Sequence, residues 1–185
     1  MTYSMSDNKA KLQLPSPWQD FLTEVDQALG LEVNLHCLGG FVLSALYGLP
    51  RPTGDLDYIS ANPLEARQEI EKIAGLGSLL SKKYKLLVQC VGVADYPEDY
   101  EDRLTLLDLG FQNLRLWVLE PYDLILSKLA RNNPKDRDDV KFLVTKLSLS
   151  FEVLYRRWES EMKPWIANAD RHETTINLWK SYFQQ

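Results

Sequence analysis

A small mixed β-sheet with a helical lobe packed beside it, an α/β (α+β) fold, is what three features of this sequence predict. Short apolar or β-branched runs alternate with helical periodicity in the first part of the chain. From Pro121 onward the helical period takes over, and glycines and prolines punctuate the change-overs. At 185 residues the chain is one domain in size. Folding at this size buries roughly 70% of the surface an unfolded chain exposes, so stability needs neither disulfides nor metals.

The elements follow in order. Residues 1–14 read as a loose leader, 15–119 as the α/β core and 120–185 as the helical lobe. Ser16-Pro17 reads as an N-cap with proline at the first helical position, and Gly30 follows the apolar series Phe21, Val25, Leu29, giving a helix over 17–29. Residues 32–38 read as a strand broken by Gly39-Gly40. A short apolar helix over 41–47 is stopped by Gly48 and Pro50. The loop Pro50-Arg51-Pro52-Thr53-Gly54 leads to a strand over 55–59. Pro63 opens an amphipathic helix to residue 74, with Leu64, Ile70 and Ile73 on its apolar side. Residues 85–93 have the character of a buried strand, and an acidic, tyrosine-rich loop over 95–102 follows. Strands are expected at 104–107 and 114–118. Helices are expected at 121–131, at 136–147 after a break at Pro134, at 150–163 and at 172–183. Trp158, Trp165, Trp179, Tyr155, Tyr182 and Phe183 load the last part with aromatics, mostly core, with some left for an interface. The helices after residue 148 are therefore expected to form a lid or partner-binding lobe that truncation at Leu149 would remove without harm to the site.

Composition narrows the classes of function. A formal charge of −5 argues against broad nucleic-acid binding, leaving at most small basic patches at Lys82, Lys83 and Lys85 or at Arg156 and Arg157, each of which reads first as solvated surface. No segment approaches the ~20 apolar residues of a membrane span, and the polar stretch over 1–11 lacks the apolar run of a signal peptide. Cys37 and Cys90 sit singly in apolar stretches and read as buried thiols of a reducing compartment, so a cytoplasmic location is expected. His36 and His172, the two histidines, are too far apart in sequence to suggest zinc, and His36 beside the glycine turn reads as packing.

The residues that carry chemistry lie between 38 and 57. Side chains alternate across a strand, so Asp55 and Asp57 share one face while Leu56 takes the other. Two carboxylates this close repel unless a cation lies between them, and an oxygen-only pair suits Mg²⁺ or Mn²⁺. Gly39 and Gly40 let backbone approach a phosphate, and the helix that follows offers free N–H groups and its positive dipole end. Taken alone, the Asp-x-Asp reads first as a solvated strand end.

Order and spacing add to this. A strand, Gly39-Gly40, a short helix, then Arg51-x-Thr53-x-Asp55-x-Asp57 resembles the nucleotidyltransferase superfamily of the polymerase-β type, with Gly-Gly where that superfamily commonly has Gly-Ser. The variant is more similar to the bacterial toxin branch typified by the AbiEii and MenT toxins and to uncharacterised families near it. A second stretch, Glu120-Pro121-Tyr122-Asp123-Leu124-Ile125-Leu126-Ser127-Lys128-Leu129-Ala130-Arg131 followed by Lys135-Asp136-Arg137-Asp138-Asp139-Val140, resembles that branch's helical lysine motif and its Asp-x-x-Asp-hydrophobic motif. The two matches span about residues 35–145.

The resemblance implies a nucleotidyltransferase core in which Asp55 and Asp57 hold Mg²⁺ or Mn²⁺. Gly39, Gly40, Arg51 and Thr53 would form the nucleotide cradle, Lys128 would contact phosphate, and Asp139 or Asp136 would complete the acidic site. It implies transfer of a nucleoside monophosphate from an NTP to a hydroxyl of tRNA or protein, with an antitoxin partner if the toxin likeness extends to function. Read from the residues themselves, Lys128 equally snorkels along an apolar helix, Asp136 reads as an N-cap, and Asp139 as a complement to a helix dipole. The chain departs from the family at residues 87–91, Leu-Val-Gln-Cys-Val, where many members carry a third strand carboxylate. Asp95 and Asp99 either reach back to supply it or are surface acids of their loop. Arg103 is a partner of Asp99 or Asp102, or a triphosphate ligand. The alternative to an enzyme is a silent protein of the same fold that binds a nucleotide or a protein partner.

Overall fold

The computed structural model describes residues 12–92 and 94–184. Of the expected leader, residues 1–11 lie outside that set. Leu14 is buried and its N–H bonds the Gln19 side chain, tying residues 12–14 to the first helix, α1 (Trp18–Ala28).

Five strands make one mixed sheet: β1 (Val33–Leu38), β2 (Asp55–Asn62), β3 (Leu87–Cys90), β4 (Thr105–Leu106) and β5 (Leu114–Val118), in the order β3-β2-β1-β5-β4. β1 pairs antiparallel with β2 and parallel with β5, β2 runs parallel to β3, and β4 runs antiparallel to β5. This is the small mixed sheet that the alternation of runs predicted. Period-two alternation sends Leu35, Cys37, Leu56, Tyr58, Val88, Leu114 and Leu116 into the core, while His36, Asp55, Asp57 and Gln89 occupy the other side.

The helices are α2 (Gly39–Tyr47), α3 (Ala66–Ala74), α4 (Leu79–Tyr84), α5 (Pro121–Leu126), α6 (Pro134–Leu147), α7 (Phe151–Glu161) and α8 (Ala169–Trp179). None among the described residues is long and apolar enough to cross a membrane.

Several boundaries differ from the sequence expectation for definable reasons. α4 is an addition: Ser78 caps it, accepting from Ser81 N, and Lys85 ends it in the left-handed region, which also shortens the expected strand there to β3. The helix expected over 121–131 stops at Leu126. Lys128 N and Leu129 N bond the carbonyls of Ile125 and Leu126, three residues back, so 127–131 is a run of tight turns rather than α-helix. Pro134 does not break a helix. It is the first residue of α6, where its missing N–H costs nothing, and Asn133 is the cap, in a capping box with Asp136 at the third position. Asp136 is thus part of the cap without being the N-cap residue.

The C-terminal helices are built into the core. Leu154, Trp158, Met162, Ile176 and Trp179 are buried, and Trp179 Nε1 donates to Asn132 Oδ1 at 3.2 Å, while Trp165 stands exposed. The expectation of a removable lid after residue 148 does not fit this packing. Cys37 is buried but Cys90 only half so.

Candidate active site

Three segments converge on the polar face of the sheet: the β1–α2 junction, the loop and strand from Arg51 to Asp57, and the turns and helix from Ser127 to Asp139. α2 begins at Gly39 itself. Leu38 precedes it with no side-chain cap, so the first amides of α2 point outward without an internal acceptor.

Gly39 has φ +80°, and a Cβ there would stand 2.6 Å from Asp57 Oδ2. Only glycine lets the carboxylate lie against the helix start. A Cβ on Gly40 would come within 3.2 Å of Thr53 Oγ1, so the loop packs onto the same amides. Thr53 Oγ1 donates to Asp55 Oδ1 at 2.7 Å and fixes that carboxylate.

Strand register sets Gln89 of β3 beside Asp57 of β2. Its Nε2 donates to Asp57 Oδ1 at 2.7 Å and reaches Asp55 Oδ2 at 3.4 Å. Burial raises the Asp57 carboxyl above its ordinary pKa. The Gln89 hydrogen bond opposes the rise, the charge of Asp55 adds to it, and Arg131 and Lys128 pull it down. A carboxylate under this strain gains from a cation. The donors present, two carboxylates and an amide whose half-turn would offer oxygen, fit a hard divalent ion. Among the described residues no group of three His, Cys, Asp or Glu gathers around one point, so Gln89 stands where a third acid would make such a set.

Lys128 is 3% exposed, and its ammonium lies 2.8 Å from Asp139 and 3.5 Å from Asp136, which are 2% and 1% exposed. Arg51 donates to the other Asp139 oxygen at 2.6 Å, and Arg131 to Asp136 at 2.7 Å. Asp139 therefore clamps two cations that lie far apart in the sequence, Arg51 and Lys128. Its carboxylate and that of Asp136 explain how a lysine can be buried at all. A cavity of about 80 Å³ opens between these groups, lined in part by Gly39, Asp57, Asp95, Ser127, Lys128 and Arg131.

Residues 21–185 match the family model described as a nucleotidyltransferase of unknown function, DUF6036. The chain belongs to this family. The match supports the superfamily expected from the sequence and does not name the toxin branch. No curated protein and no solved structure matches this DUF6036 chain.

Other expected roles in this DUF6036 member fall differently. Asp99 is exposed on its loop, so of the two loop acids only Asp95 borders the cavity. Arg103 partners neither Asp99 nor Asp102 and is not in the lining of the cavity. It forks onto buried Asp123 at 3.0 and 3.1 Å and onto Glu161 at 2.6 Å. Arg157 joins that network through Asp123 and Glu120, which removes it from any RNA-facing patch. The compensation is mutual: burial raises the Asp123 carboxyl, and Arg103 pulls it back. His36 packs with Tyr100, its Nδ1 3.0 Å from the phenol oxygen. His172, which its sequence position had only excluded as a zinc ligand beside His36, has its Nε2 3.4 Å from Asp95 across a gap of 77 residues. No periodicity or spacing signal marks such a pair.

Proposed function

We propose that this DUF6036 protein moves a nucleoside monophosphate from an NTP to a hydroxyl acceptor, in the manner of the toxin-like nucleotidyltransferases. The observation that carries the reading is the assembly, on one face, of an uncapped helix start, a carboxylate pair and a clamped lysine and arginine.

The Gly39 and Gly40 amides and the α2 dipole receive phosphate oxygens. Thr53 fixes the Asp55 carboxylate, and Asp55 and Asp57 would together hold Mg²⁺ or Mn²⁺. When bound, that ion neutralises the triphosphate and the departing pyrophosphate. Lys128 and Arg51, both held by Asp139, turn to the phosphates when NTP enters. The acceptor is a hydroxyl of tRNA or of a protein, the working place is the cytoplasm, and an antitoxin is the matching partner.

Gln89 favours one second reading, a silent member that binds nucleotide without transfer, because a neutral amide stands where a third acid would complete the set. One experiment separates the two. The protein is incubated with each α-labelled NTP, Mg²⁺ and total RNA or cell lysate. Label on RNA or protein is the expected result. Nucleotide binding without transfer to any fraction would select the silent reading.

A further inference from the structure

A hydroxyl attacking phosphorus must lose its proton, and Gln89, the residue beside Asp57 on the neighbouring strand, cannot take it. The cavity wall offers other groups. Lys128 is a cation held by acids, Arg131 is a cation on Asp136, and Asp57 belongs to the metal-holding pair. Asp95, on the loop after β3, faces the same space and has no part in that pair.

Behind Asp95 stands His172 of α8, 1% exposed, with Nε2 3.4 Å from Asp95 Oδ2. Its Nδ1 is buried without a partner. A proton on Nδ1 would be stranded there, so the neutral ring carries its proton on Nε2, toward the carboxylate. Burial lowers the His172 pKa, against the pull of Asp95 and with the push of Arg171, which keeps the ring neutral. The Asp95 side chain is 38% exposed and lines the cavity, so its carboxylate is accessible to an incoming molecule.

We propose that Asp95 is the general base of the transfer reaction and His172 the positioning residue that aims it; the inference rests on the transfer reading above. Asp95 takes the hydroxyl proton as the acceptor oxygen bonds the α-phosphorus. The bond from that phosphorus to the bridging oxygen breaks, and its electron pair leaves with pyrophosphate. Asp95 then returns the proton to solvent.

The test compares Asp95→Ala, Asp95→Asn and His172→Gln with the wild type, using α-labelled NTP, Mg²⁺ and the RNA or lysate fraction that the wild type labels. NTP affinity should stay within about twofold in all three. Transfer should fall about 100-fold or more in both Asp95 variants, the low end for a lost general base. Added formate should restore part of the rate to Asp95→Ala and none to Asp57→Ala. His172→Gln should lower kcat with KM unchanged. Wild-type rates in Asp95→Ala, or loss of transfer in both Asp95 variants with no formate rescue, would overturn the proposal. A wild type that labels nothing would remove the transfer reading and this proposal together, an outcome distinct from failure of the Asp95 variants alone.

Discussion

Replacing Lys128 by methionine removes the ammonium from between two carboxylates that are almost wholly buried. Taking one partner from a buried ion pair costs about 3–5 kcal/mol, because the remaining charge stays out of water. Here Arg51 remains on Asp139 and Arg131 on Asp136, although their side chains are 31% and 66% exposed and so neutralise less well. The cost therefore falls at the low end, about 3 kcal/mol, equivalent to a loss of roughly 6–12 °C in Tm for a chain of this length. Urea unfolding followed by tryptophan fluorescence, without nucleotide, reads it directly. Asp139→Asn added to Lys128→Met should recover part of the loss, with a coupling of about 0.5–3 kcal/mol. Lys128→Arg should recover little, since a planar fork does not fit a socket built for a point charge. The same Met variant should bind NTP more weakly. A cost below about 1 kcal/mol would refute the argument and make Lys128 an incidental buried side chain.

Gly39→Ala should lower stability by about 1–2 kcal/mol from its positive φ alone, and push Asp57 aside, so that NTP binding falls more than unfolding free energy. Calorimetric binding beside urea unfolding separates the two, and unchanged binding would contradict the cradle. Asp57→Asn should be as stable as the wild type at pH 7 or more so. Because the folded-state pKa of Asp57 is raised, its stabilising effect is greatest below about pH 3.8 and is lost as pH rises through the folded value, so the advantage of the amide should grow with pH. A clear drop in Tm at pH 7 would mark Asp57 as a structural acid. Truncation after Leu149 should abolish cooperative unfolding, since it strips Trp158 and Trp179 from the core and Arg157 from Asp123; a soluble, cooperatively folding fragment would restore the separable lobe.

What could be read from the sequence followed local rules. Period-two alternation put Asp55 and Asp57 on one face, and the Gly39-Gly40 break marked the place where backbone meets carboxylate. Lys128 sat among apolar neighbours, which left snorkelling and an anionic contact both open, and its burial against Asp139 and Asp136 decides for the contact. The rest depended on contacts between distant segments. Arg51 meets Asp139 across 88 residues, Arg103 meets Asp123 rather than a neighbouring acid, and His172 meets Asp95. Each pairing is set by where α5, α6 and α8 lie in the tertiary structure, which no local pattern encodes. The same holds for the turns over 127–131, where tertiary packing overrode a helical sequence.

The central claim is that Asp55 and Asp57 hold a divalent ion through which NTP binds. Calorimetric titration with a non-hydrolysable NTP, with and without Mg²⁺, of the wild type, Asp55→Asn and Asp57→Asn tests it most directly. The account predicts wild-type binding that depends on Mg²⁺ and falls at least tenfold, about 1.4 kcal/mol, in each variant while the fold persists. Equal affinity in all three proteins, with or without Mg²⁺, would contradict it.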